Sequence, residues 1–149
     1  MAKTNIERFD EVTAKILAAL YETFPEPSYV DIRELGMSDE QPTRNESGQV
    51  FYSDEWNDLN RFAQNSAKWL AEEGYLSSRA SGIYPRYTLS AAGLKSMRHV
   101  DQPEIGSTTL GDQIKKASSE GARATTSKLV DQFLALGAPL ITKVMGIDG

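Results

Sequence analysis

The chain has 149 residues, 40% of them hydrophobic, and 16 Lys/Arg against 21 Asp/Glu give it a net charge of −5; this length suits one ordinary domain or a small domain with an appendage. There is no cysteine, which excludes disulfides and thiolate zinc sites and is compatible with a reducing compartment. MAKTNIERFDEV lacks the apolar run of a signal peptide, and no apolar stretch approaches the roughly 20 residues of a membrane span, so the expectation is a cytoplasmic protein without integral membrane association.

The first element, about Thr4 to Phe24, reads as a helix. Thr4 and Glu7 make a capping-box pattern, and Ile6, Phe9, Val12, Ile16, Leu17, Leu20 and Phe24 recur at spacings of three and four. Pro25 and Pro27 stop it, and Ser28 to Gly36 then predicts a short extended piece and a brief second helix ending at Gly36. Residues 37–52 are polar, with Pro42 and Gly48, and read as a loop with room for a small strand at Gln49 to Tyr52. A tolerated surface insert and a partner-specific contact are both open for this segment.

Ser53 is suited to cap the next helix, with Asp54 and Glu55 at the positive end of its dipole. Trp56, Leu59, Phe62, Ala63, Ser66, Trp69 and Leu70 form the apolar face, and Gly74 ends the helix. Tyr75 and Leu76, then Tyr84, Tyr87 and Leu89, predict two strands joined by SSRASGIYPR, a turn carrying Arg79 and Arg86. Ser90 caps a last short helix in which Leu94 and Met97 face inward while Lys95 and Arg98 stay outside.

EEGYL followed by YTLSAAGLKSM resembles the strand-wing-strand end of winged helix-turn-helix regulators of the MarR and PadR kind, and loosely resembles small phage-associated winged-helix proteins. The resemblance covers residues 5–100 and is concentrated in 69–97. It implies a mainly α fold with a small β-hairpin, and duplex DNA bound by the third helix and the wing. The residues then expected near DNA are Arg61, Gln64, Asn65, Lys68, Arg79, Arg86, Lys95 and Arg98. Arg, Asn and Gln are the side chains that pair bidentately with base edges, and Arg79, Arg86, Lys95 and Arg98 occupy residues 76–100, which hold no acid. Against this stand the acids Asp54, Glu55 and Asp58 at the start of the helix. Residues 1–40 carry four Lys/Arg against nine Asp/Glu, so the polar positions of the third helix also read as a solvated face, and the domain also reads as a protein-interaction module.

After a linker at 101–108, residues 109–149 read as a helical extension. Leu110, Ile114, Ala117, Gly121 and Ala124 are followed by Leu129, Val130, Phe133, Leu134 and Leu136; Gly137 and Pro139 are expected to break the run before Leu140, Ile141, Val144 and Met145. A winged-helix unit at 1–100 would already have its helices. The stripe Leu110, Ile114, Leu129, Phe133, Leu136, Leu140, Ile141 and Val144 is therefore expected to join two copies into a homodimer, and a chain ending at Arg98 to fold as a monomer. Packing back onto the first unit and lying on a membrane surface are the other readings of the segment. For catalysis the sequence offers little. His99 is the single histidine and no nucleophile-elbow, phosphate-loop or calcium-loop pattern occurs, so neither an enzyme nor a cofactor is expected.

Overall fold

In the computed structural model, residues 3–79, 83–100 and 108–144 are described, the side chains of Lys143 and Val144 apart, and they form five helices and two small antiparallel hairpins. Helix α1 (Asn5–Thr23) starts where the Thr4 hydroxyl accepts the Glu7 N–H at 3.1 Å. Its buried positions Asp10, Val12, Thr13, Ala14, Ile16, Leu17 and Leu20 cover more than one stripe, and α1 is surrounded by the second helix, the second hairpin and the two C-terminal helices.

Beyond Pro27, Ser28 exchanges both backbone hydrogen bonds with Tyr87, at 3.0 and 2.9 Å, and so adds a rung to the second hairpin. The second helix expected before Gly36 is a single turn. The Asp31 carboxylate accepts the Arg33 N–H at 2.9 Å, and the turn closes when Met37 and Gly36 donate to the Ile32 and Arg33 carbonyls at 2.8 and 3.0 Å. A capping aspartate and a stop glycine five positions apart leave room for no more.

Within the 37–52 segment the small strand allowed for at Gln49 to Tyr52 is present, and an unexpected second strand pairs with it to make a hairpin. Strands β1 (Thr43–Arg44) and β2 (Val50–Phe51) pair Thr43 with Phe51 and Arg44 with Val50. The Asn45 side-chain oxygen accepts the N–H groups of Ser47 and Gln49 at 3.0 and 2.9 Å. Helix α2 (Asp54–Glu72) follows, capped by Ser53, and ends at Gly74. Strands β3 (Leu76–Ser78) and β4 (Tyr87–Leu89) pair in register from Leu76 opposite Leu89 to Ser78 opposite Tyr87. All three residues of β4 are buried, and both α1 and α3 (Ala91–Met97) pack against it.

Helices α4 (Leu110–Glu120) and α5 (Arg123–Val144) do not follow the expected division. Gly121 takes the left-handed conformation at φ 69°, which suits a residue without Cβ, and it ends α4; Ala117, Gly121 and Ala124 therefore share no helical face. Helix α5 runs on through Pro139. Gly137 is small for a tertiary reason, since a Cβ there would lie 2.8 Å from the Tyr75 ring.

Both helices lie on α1 and α3. Leu110, Ile114, Leu129 and Phe133 sit in one core with Val12, Ile16, Leu70 and Leu89, and Leu136 and Ile141 pack partly buried against it. Leu140 is partly buried too, and the Val144 side chain and Met145 lie outside the described residues. At Leu110, Ile114, Leu129 and Phe133 the stripe assigned from sequence to a second copy is thus buried within this chain's own core rather than exposed for such a contact. Two hydroxyls fasten α5 further: Ser96 donates to the Phe133 carbonyl and Tyr75 to the Leu134 carbonyl, each at 2.8 Å. The linker residues 101–107 lie outside the described residues. No helix among the described residues is long and apolar enough to cross a membrane.

Asp10 is buried on α1. Burial raises its pKa above the ordinary carboxylate value, and the charges of Asp131 and Glu7 push the same way, against a hydrogen bond from Ser127. The folded chain then holds this proton more tightly than the unfolded chain, so stability is lost as pH rises from the unfolded to the folded pKa. Asp10→Asn is expected to raise the melting temperature at pH 7 and to leave it nearly unchanged at pH 3. Parallel thermal melts check this, and an equal shift at both pH values would contradict it.

Candidate binding face

The β3–β4 hairpin carries the expected basic edge, and both arginines are tethered. The Arg79 backbone N–H donates to the Arg86 carbonyl at 2.7 Å, and its guanidinium Nε donates to Thr88 Oγ1 at 3.2 Å. The Arg86 guanidinium lies 4.8 Å from the centre of the Tyr29 ring, a cation–π contact. Tyr84, expected inside the second strand, precedes it and is 70% exposed, next to Ile83 at 93%; residues 80–82 of the turn lie outside the described residues. The edge of the hairpin is therefore apolar as well as basic. Lys95 on α3 and Arg98 at its C-cap are exposed, and the neighbours of α3 are α4, α5 and β4, so the acid-free stretch of sequence is divided between the hairpin and the end of that helix.

The outer face of α2 is close to neutral. Asp54, Asp58, Arg61, Asn65, Lys68 and Glu72 follow at helical spacing and are all exposed. Arg61 is paired with Asp58, and Lys68 lies 3.9 Å from Glu72. Such exposed pairs contribute little to stability, but each base has an acid beside it that would also face an incoming phosphate. Gln64 leaves this face altogether: its amide donates to the Val30 carbonyl at 2.6 Å, across 34 residues, and is half-buried. That removes Gln64 from the residues expected to read bases. Its work is to hold α2 against the 28–31 segment.

The same cross-link forms part of a groove of about 700 Å³. On one side Tyr52 stacks on Trp56, ring centres 3.7 Å apart and planes 14° from parallel. On the other stand Tyr29, 51% exposed, and Tyr84 with Pro85. Strand-like alternation produces the Tyr29 wall, for Val30 beside it is buried while Tyr29 points out. The Tyr52–Trp56 wall depends on Glu40. Its carboxylate accepts the Ser53 N–H at 2.8 Å and the Ser53 hydroxyl at 2.6 Å, and the same hydroxyl caps α2 by accepting the Trp56 N–H at 3.1 Å. These bonds hold the Glu40 pKa below the ordinary range. The hairpin of the insert is thus anchored to the start of α2, at the groove.

Sequence reasoning missed Glu40, Tyr29, Tyr52 and Tyr84 as members of one site, because they lie in separate segments that only tertiary closure unites. It also missed a basic cluster around the first half of α1. Lys3, Arg8 and Lys15 line one hollow with Glu11; Glu11 is approached by Arg123 of α5 at 3.3 Å and by Lys3 at 2.7 Å, while Arg8 lies 4.2 Å from the centre of the Phe62 ring. Spacing along α1 was the available signal, since positions 8, 11 and 15 share a helical face. Among the described residues no three His, Cys, Asp or Glu are grouped to hold a metal. No protein-family model, curated protein or solved structure matches this chain.

Proposed function

We propose that the protein is a non-catalytic binding module of winged helix-turn-helix type, and that its partner is another protein held in the aromatic groove beside α2. The chain order of α1, the Ser28 rung, one turn, α2 and the β3–β4 hairpin supports the winged-helix reading. The observation that carries the partner is the convergence of Tyr29, Tyr52, Trp56 and Tyr84 on one groove, next to a helix face whose bases are already matched by acids. Tyrosine and tryptophan offer large contact area at low entropic cost and dominate protein recognition sites.

A second reading, a regulator that binds duplex DNA along the hairpin, is favoured by Arg79 and Arg86 flanking an exposed tip in a stretch without acids. A homodimer matched to two half-sites would have to meet through surfaces other than the buried positions 110, 114, 129 and 133.

Selection from a random peptide display library on the purified protein, with Tyr84→Ala as the counter-selecting bait, separates the readings. Groove-dependent peptides are expected, with affinity at least tenfold weaker for Tyr84→Ala and melting temperature unchanged, since Tyr84 is 70% exposed. If the selection yields none, and a random duplex pool is instead retained at low salt and released by Arg79→Ala with Arg86→Ala, the DNA reading replaces it.

A further inference from the structure

The groove also carries information about the kind of segment that fills it. Four aromatic rings and Pro85 line it, the stacked Tyr52 and Trp56 with Tyr29 and Tyr84, beside the polar Asp31, Arg33, Asn60 and Gln64, and Val30 is the one aliphatic side chain among the lining residues. Flat aromatic faces accept the pyrrolidine ring, whose fixed φ keeps an unbound chain already extended, so little entropy is lost on docking. An extended proline-rich strand makes no internal hydrogen bonds, and its carbonyls need donors from outside. Donors of the right kind line the groove: the Trp56 indole N–H and the Tyr29, Tyr52 and Tyr84 hydroxyls.

Charge narrows the ligand further. Asp31 lines the groove, and Asp54 and Glu55 are exposed in the first turn of α2 beside Trp56. Two bases stand against these acids, Arg33, which lines the groove and donates to the Glu40 carbonyl at 2.9 Å, and Arg86, 4.8 Å over the Tyr29 ring, and with the Glu40 carboxylate at Ser53 the acids still outnumber them. A ligand with a positive residue next to its apolar part is attracted to this rim, and a phosphate chain is repelled, although nucleic-acid bases also stack on aromatic rings.

Resting on the protein-partner reading above, we infer that the groove between Tyr52–Trp56 and Tyr29–Tyr84 binds an extended, proline-rich segment of a partner protein that carries a flanking arginine or lysine. Aromatic-lined grooves are a general means of holding such segments.

Fluorescence anisotropy with the full chain and a labelled twelve-residue peptide, two prolines spaced by two residues and one adjacent arginine, tests the inference directly. Saturable binding is expected. It should weaken at least tenfold when both prolines become alanine or when the protein carries Tyr84→Ala, and at least threefold when the arginine becomes glutamate. Tyr29→Ala provides a second variant outside the core, because Tyr29 is 51% exposed. Binding that is indifferent to the prolines, or a preference for the glutamate peptide, overturns the inference.

The display selection distinguishes the two levels. Groove-dependent peptides without proline would overturn the ligand class and leave the protein-partner reading standing. Absence of any groove-dependent peptide, or groove-dependent capture of a single-stranded oligonucleotide in its place, would overturn both.

Discussion

A chain ending at Arg98 is expected not to fold. The sequence alone favours a self-sufficient unit there, but α1 is enclosed by α4 and α5 as well as by α2 and β4. Truncation removes Leu110, Ile114, Leu129, Val130 and Phe133, all buried, and exposes the α1 and α3 surfaces they cover. At about 1.5–3 kcal/mol for each buried side chain the loss is on the order of 10 kcal/mol, which matches the whole stability of a typical domain, about 5–15 kcal/mol. The hydrogen bonds from Ser96 and Tyr75 to α5 go with it. The truncated chain should therefore be insoluble, or collapsed with poorly dispersed amide resonances and no cooperative thermal transition. A cooperative transition within a few degrees of the full-length protein would show that α4 and α5 are dispensable, and would return the C-terminal stripe to the role of an interface.

The second large effect is expected from one residue. Phe133 is fully buried, packs against the Tyr75 ring at 5.4 Å between centres, and its carbonyl accepts from Ser96. Phe133→Ala leaves a cavity where α3, α5 and the start of β3 meet, and should cost about 3–5 kcal/mol. At about 2–4 °C per kcal/mol for a chain of this size, the melting temperature should fall by roughly 10 °C. Urea denaturation at two protein concentrations tests both the size of the loss and its origin. A core residue gives a loss independent of concentration, whereas an interface residue gives one that changes with it; a loss below about 1 kcal/mol would contradict the burial of Phe133.

Much of the helical skeleton was legible because its signals are local. Thr4, Ser53, Ser90 and Thr109 each accept a backbone N–H three residues on, as N-cap residues do, and Gly74 ends a helix where the apolar pattern stops. The misreadings share a different origin. Gly137 and Pro139 break helices by local rule, yet α5 continues, and the small residue at 137 answers to the Tyr75 ring rather than to a turn. Gln64 occupies a side position of an amphipathic helix, and nothing nearby in sequence reveals the Val30 carbonyl it reaches.

The C-terminal stripe needed a partner, as its periodicity implied, but the partner is α1. The burial on α1 reflects it. Val12, Thr13 and Ala14 are three consecutive buried residues, too broad an apolar surface for a helix facing a single neighbour. The candidate site was the least legible part. Arg79 and Arg86 were found because a hairpin is a local structure; the aromatic walls come from residues 29, 52, 56 and 84, and polar neighbours in sequence conceal them.

The Glu40–Ser53 bonds fasten the insert at its base, while its far end, Asn45 to Gln49, is exposed and held by its own Asn45 hydrogen bonds. Exposed turns of this kind accept foreign sequence with little disturbance. A short epitope spliced between Glu46 and Ser47 would project as a built-in post for a fluorophore, reporting on occupancy next door while leaving the rings that do the gripping untouched.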